Sequence, residues 1–253
     1  MRILTAAFAG IVLLGLLAYG QDTQRVYLLT KSTAPGGVQE IATVLRTVAD
    51  VKTMSVDSPS LAITLTAPSA VVAMTDWLVP MLDRYPLDSP GGDKPAQFTA
   101  PDGQDDVIEV YQLANIRTPQ STQAILTALR EVAQMRKIFG VYAPRLVVFR
   151  GTSGAVAQAD WLTQQLDIAP GAHPAGKPAY SPPTGDAMQV FYMVNLLAYK
   201  DLIDTVTAVR KSAGIRYAFY SSSAPQSISV RGTPSQLAAA AQIIAARDIP
   251  GGH

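Results

Sequence analysis

The side chains of this chain best suited to chemistry are few, and their spacing supports no reaction centre. His173 and His253 are the only histidines, both in Gly/Pro-rich sequence, and there is no cysteine. A zinc site needs three or four converging nitrogen, sulfur or oxygen ligands, and no such cluster is spelled out. Asp102, Asp105, Asp106 and Glu109 form an acidic run. Their spacing does not match a calcium loop with alternating oxygen ligands and a closing Glu, so they read as a solvated linker. Gly36-Gly37 precedes a helix pattern but lacks the Lys and Ser/Thr of a phosphate loop. Ser221-Ser222-Ser223 has no Gly-x-Ser-x-Gly frame and no histidine partner, and reads as a hairpin turn. The expectation is a non-enzymatic protein with no cofactor and no metal.

The side chains that remain are suited to contact. Trp77 and Trp161 lie at equivalent places on the last helix pattern of two repeated stretches. The expectation for them is core packing, with anchoring of a partner as the alternative, since Trp is enriched in binding hot spots. Arg46, Arg130 and Arg210 fall near helix C-termini, where the backbone dipole favours a cation. Arg150 and Arg231 end equivalent strands. A salt bridge between modules is the functional reading of these arginines.

What positions these residues is a repeat, and a missed repeat miscalls a fold. Arg25–Asp83 aligns with Glu109–Asp167 without a gap at 19 identities in 59 positions. The matches include Val26-Tyr27 with Val110-Tyr111 and Asp76-Trp77-Leu78 with Asp160-Trp161-Leu162. Leu82-Asp83 matches Leu166-Asp167. A third copy spans 188–248. Phe191-Tyr192-Met193-Val194 is aligned with Val110-Tyr111-Gln112-Leu113, Val230-Arg231-Gly232-Thr233 with Phe149-Arg150-Gly151-Thr152, and Gln242 stands at the Trp position. The modules are placed at 25–83, 107–167 and 188–248, with a tail at 249–253. Linkers at 84–106 and 168–187 carry Ser-Pro-Gly-Gly, Pro-Gly and Ser-Pro-Pro, which break helix and strand alike and behave as extended spacers.

The second copy is the clearest. Val107–Leu113 is rich in strand formers, and Thr118-Pro119 supplies a helix cap and first turn. Ile125, Leu129 and Val132 form one helical stripe. Lys137–Tyr142 and Leu146–Phe149 make a hairpin around Ala143-Pro144, and Ser153 opens a second helix. The fold class expected is α+β: three tandem βαββα two-layer modules, with helices on one face of a small sheet. A bead of about 60 residues buries only about 60% of its unfolded surface, so packing between beads or subunits must supply the rest.

Residues 1–20 have the layout of a secretory signal: Arg2, an apolar run from Ile3 to Leu17, then Leu-Ala-Tyr-Gly. The run is short against the roughly 20 residues of a membrane span, so cleavage before Gln21 is expected, with a periplasmic or secreted product. The net charge of +1 with 15% charged residues opposes a nucleic-acid footprint, which needs clustered Lys and Arg.

The pattern resembles the periplasmic N-terminal domains of bacterial secretins. The residues that carry it are Val110-Tyr111-Gln112-Leu113, the stretch Arg145–Thr152, the stretch Ser227–Pro234, and the closing Leu82-Asp83 and Leu166-Asp167. The resemblance implies a KH-like fold and stacking of modules into rings, in type II secretion or type IV pilus systems, without the secretin β-barrel. KH-like topology also raises RNA binding, but the Gly-x-x-Gly clamp of that mode is missing. The expected partners are proteins, either a second copy in a ring or a secretin-type outer-membrane channel. The alternative is an exported monomer that captures a peptide or small ligand between its beads.

Overall fold

A computed structural model of the protein describes residues 22–31, 36–85, 91–100, 105–169, 172, 178–223 and 225–250. The signal segment, Asp102, His173 and His253 lie outside the described residues. The first module runs β1 (Thr23–Leu28), α1 (Gly37–Thr47), β2 (Thr53–Asp57), β3 (Ala62–Ala67) and α2 (Ser69–Asp83). After β4 (Ala96–Thr99), the second runs β5 (Val107–Gln112), α3 (Pro119–Glu131), β6 (Lys137–Val141), β7 (Leu146–Gly151) and α4 (Ser153–Leu166). After β8 (Ala179–Tyr180), the third runs β9 (Ala187–Tyr192), α5 (Tyr199–Ser212), β10 (Tyr217–Ser221), β11 (Ser227–Gly232) and α6 (Pro234–Ala245). The order β-α-β-β-α therefore occurs three times, on three antiparallel sheets.

Local chemistry sets these boundaries. Thr118, Thr152 and Thr233 cap α3, α4 and α6, each hydroxyl accepting from a backbone N–H three residues on. This explains the Gly-Thr that ends the hairpins at 151–152 and 232–233: the strand stops and the next residue caps the helix. First helices end through a left-handed residue, Asp50, Gln134 or Gly214, at φ near 60°.

The recurring terminal Asp closes each module. Asp167 accepts from the backbone N–H groups of Ala114, Asn115 and Ile116 at 2.7–3.0 Å, and Asn115 donates back to the Asp167 carbonyl. Asp248 does the same with Val194, Asn195 and Leu196, and Asp83 holds Thr30 and Lys31. One carboxylate thus ties the end of the last helix to the loop after the first strand, satisfying donors that have no ladder partner.

Two sequence expectations need correction. The linkers are more than spacers. β4 and β8 join the sheets that follow, giving the orders β4-β5-β7-β6 and β8-β9-β11-β10. Gly91, at φ +85°, lies so close to the β5–α3 loop that a Cβ there would sit 2.3 Å from the Leu113 carbonyl oxygen. The third copy is also one residue out of register in its first strand. Met193 N–H bonds to the Gln226 carbonyl as Leu113 N–H does to that of Arg145, so Val190-Phe191-Tyr192-Met193 matches Val110–Leu113. The reason is a hairpin loop one residue longer, 222–226 against 142–145. A slip of one exchanges the two faces of a strand.

The modules stack face to face. In the second sheet Val107, Tyr111, Val147 and Phe149 pack under α3 and α4, while Ile108, Val110, Val141, Leu146 and Val148 join the core of α1 and α2. In the third, Met188 and Val190 belong to the second module's core, and Phe191, Ile228 and Val230 to their own. The layers therefore run sheet, helices, sheet, helices, sheet, helices. Asp167→Ala is expected to cost about 2–3 kcal/mol, the worth of charge-assisted bonds to backbone donors. Faster amide exchange at Ala114, Asn115 and Ile116 with a lower urea midpoint would bear this out. Unchanged exchange would remove the Asp from its closing role.

Candidate interaction surfaces

The arginines and tryptophans singled out in the sequence fall mainly at joints within the chain. Arg150, only 12% exposed along its side chain, ends β7 on the face turned to the first module. Its guanidinium grips both oxygens of Asp106, donates to the Val48 carbonyl at 3.2 Å and reaches Asp50 at 3.3 Å. Lys137 also pairs with Asp50. The Arg150 bonds hold the Asp106 carboxyl below the usual range. Glu40 on α1 accepts from the Tyr142 backbone, and burial raises its pKa. The first joint thus combines an apolar centre with a polar clasp at one side.

At the second joint the clasp is rebuilt from different residues. Gln134 stands where Asp50 does, and Tyr217 where Lys137 does. Arg231, the counterpart of Arg150, lies over the Tyr217 ring, 5.9 Å from its centre. Its Nε is buried with no hydrogen-bond partner. Tyr192 instead crosses the joint, its hydroxyl donating to the Gln165 carbonyl at 3.0 Å.

Each Trp receives an aromatic residue from the linker strand that follows it. Trp77 meets Phe98 of β4, and Trp161 meets Tyr180 of β8, both with ring centres 5.6 Å apart. The aromatic clamps the new strand onto the helix of the preceding module. Gln242, the third member, is exposed. Arg130 and Arg210 donate to the carbonyls of Ile138 at 3.3 Å and Ala218 at 2.6 Å, and all three of Arg46, Arg130 and Arg210 are exposed.

The acidic run departs from the expected solvated linker. Asp105 accepts from the Ser153 N–H at the start of α4, Asp106 binds Arg150, and Glu109 is fully buried. These roles depend on groups distant in sequence, so spacing alone gave no sign of them. Glu109 Oε2 accepts from Gln97 at 2.5 Å. Its Oε1 and Oδ1 of Asp160 are both buried and otherwise without partners. A proton held on Glu109 would serve both, and burial is the main force pushing Glu109 up to about 8, with Asp160 adding to it. The first module solves the same position with opposite charge, Arg25 pairing with Asp76 at 3.5 Å. Above that pair the Tyr27 hydroxyl bonds to Thr75 and Asp76, and burial is the main reason it is pushed up to about 12.

The two ends of the stack differ from its joints. The outward face of the first sheet carries Gln24, Thr53, Ser55, Asp57, Thr64 and Thr66 at positions where the second sheet has Ile108, Phe139 and Val148 among others. On α5, Lys200 and Asp204 pair on the surface. Among the described residues no group of acids and histidines is placed to hold a metal, and no helix is long and apolar enough to cross a membrane. An open cleft beside α4 is lined by Asp105, which accepts from the Ser153 N–H, and by Asp106, Lys137 and Arg150, charges already engaged at the first joint.

No protein-family model matches the chain, and no curated protein matches it. Among solved structures the chain is similar to Aeromonas hydrophila ExeD, at 18% identity and a TM-score of 0.22, over 91% of this chain and 42% of that one. It is similar to the type II secretion system secretin GspD of E. coli K12, at 15% identity and a TM-score of 0.22, over 91% and 40%. A third match is the ETEC pilotin–secretin AspS–GspD complex, at 17% and 0.22, over 91% and 38%. The chain spans about two fifths of the length of the solved chains it matches.

The buried carboxyl pair gives a pH signature. Glu109 titrates from an ordinary value of 4.5 when unfolded and about 8 when folded, so the folded state holds the extra proton between them. The contribution of this pair to stability is then fully present below pH 4.5 and is lost as pH rises towards 8. Glu109→Gln keeps an acceptor for Gln97 and a donor for Asp160, and should flatten this profile while raising the midpoint at pH 8. Thermal melts across that range would read it. A wild-type midpoint constant from pH 5 to 8 would contradict a proton held on Glu109.

Proposed function

We propose that this chain is a non-enzymatic, exported assembly module of the secretin N-domain type, working in the bacterial envelope through protein–protein packing. The observation that carries the reading is the pair of homotypic joints. The helices of one module bury the sheet of the next twice over, so the module's two faces are complementary by construction. A surface that accepts a sibling within the chain is suited to accept a related module from another protein, which is how repeat proteins extend and recruit. The sequence resemblance at Arg145–Thr152 and Ser227–Pro234 points the same way.

Packed joints weigh against ligand capture between beads. The cores continue through both joints, with Val110, Val148 and Phe98 filling the first and Val190, Tyr180 and Phe219 the second. Arg46 and Arg210, exposed on first helices, are the candidate partner contacts on the flank of the stack. The apolar leader fits residence outside the cytoplasm, in the periplasm.

The test is the mass of the full chain in solution, alone and after co-expression with a secretin-type outer-membrane channel. A discrete ring, or a complex that co-purifies with the channel, is the expected result. A strict monomer that ignores the channel and whose melting shifts with a small ligand would overturn the proposal.

A further inference from the structure

The three sheets share one plan and differ at one edge. In the second and third modules the outer edge of the first strand is covered, β4 on β5 and β8 on β9, both antiparallel. In the first module the sheet has three strands, β1-β3-β2, and among the described residues nothing pairs with the outer edge of β1. An uncovered edge strand is a template for another chain, and proteins normally shorten, charge or cover it. Among the described residues, the six of β1 have no strand partner on that side.

Two further differences concern the same strand. Val26 and Leu28 are 60% and 68% exposed, whereas their counterparts Val110 and Gln112 are each 2% exposed. Across the β4–β5 pair, Gln97 stands opposite Glu109 and donates to it. In the first module the Glu109 position holds Arg25, half-exposed and engaged by Asp76 at 3.5 Å.

We propose that the edge of β1 takes an extended segment of a partner protein as a fourth, antiparallel strand, with a carboxylate residue opposite Arg25 and apolar residues on the face of Val26 and Leu28. The template is the chain's own β4. In its register Ala96 opposes Val110, Gln97 opposes Glu109 and Phe98 opposes Ile108. Carried to the first module, the incoming residues oppose Val26, Arg25 and Gln24. The backbone ladder supplies affinity, and alternate side chains supply choice. Replacing Glu109 by Arg25 inverts the side chain wanted opposite, from a donor such as Gln97 to an acceptor, best a charged one.

Charge argues for a partner over the other strands at hand. In a two-fold pairing of β1 with a second copy centred on Val26, Arg25 faces Tyr27 and meets the second Arg25 diagonally, and no carboxylate is provided. The first twenty residues of this chain contain no Asp or Glu. The inference holds whether the stack serves a secretin or another partner, because it depends on the edge alone.

The test uses the full chain and three synthetic peptides: residues 94–100 as they stand, and the same segment with Gln97→Glu or Gln97→Lys. Binding is followed by fluorescence anisotropy and by backbone amide shifts of Thr23–Leu28. The Gln97→Glu peptide should bind about two- to five-fold tighter than the Gln97→Lys peptide, the worth of one cross-strand charge pair. Shifts should centre on β1, and the preference should vanish in the Arg25→Gln protein. Val26→Lys, at an exposed position that folding tolerates, should weaken all three peptides. Absence of binding, shifts centred outside β1, or equal affinity for the acidic and basic peptides would overturn the proposal. So would a concentration-dependent dimer abolished by Val26→Lys, which would give the edge to a second copy.

Discussion

The structure depends on one constraint: a small sheet with helices on a single face leaves its other face to be buried by something else. For a bead of about 60 residues the one-sided core is marginal. Here the preceding module's helices supply the second cover, so the second and third sheets are lined on both faces. The strand sequences register the difference. Leu146-Val147-Val148-Phe149 of β7 is buried without interruption, as expected for a strand covered on both sides, whereas β3 alternates buried and half-buried residues. The second joint is made with more polar residues, Ser227 and Ser229 being buried where the first joint has Leu146 and Val148.

The same logic accounts for the ends. A stack of complementary modules grows without limit unless its terminal faces are changed, and repeat proteins use polar caps for this purpose. The first sheet turns Gln24, Ser55 and Thr64 outward where the second has Ile108, Phe139 and Val148, while Val26 and Leu28 stay exposed on the same face. The third module replaces the Trp of its siblings with exposed Gln242. The linker aromatics complete the pattern: Trp77 with Phe98 and Trp161 with Tyr180 fasten the strand that begins the next layer.

The second module's elements were legible because its helices carry caps and stripes and its strands are bounded by turn residues. Thr118-Pro119, Ser153 and the hairpin at Ala143-Pro144 mark boundaries the structure reproduces. The linker strands were not legible. Ala96–Thr99 is four residues long and Ala179-Tyr180 two, too short for periodicity to register, and both are strands only because β5 and β9 offer them an edge. The third copy slipped because its extra residue lies in a hairpin loop, where length changes cost little. The acidic run was misread because the partners of Asp105, Asp106 and Glu109 lie some 40–50 residues away, at Ser153, Arg150 and Asp160. The arginines read as one class have separate roles, Arg130 and Arg210 bonding to strand carbonyls and Arg150 joining two modules.

Stacking through shared cores implies that the modules are not independent beads. A substitution on the outward face of one sheet must then be felt by the helices of the module before it. Val148→Asp places a carboxylate against α1 and α2 while leaving β7's other face untouched. Native-state hydrogen exchange across the whole chain measures the consequence. The account predicts loss of protection at Val44, Leu45 and Leu78, a module away from the substitution, along with the second sheet. Protection lost only within residues 107–167, with the first module's helices exchanging as before, would mean that each module stands by itself.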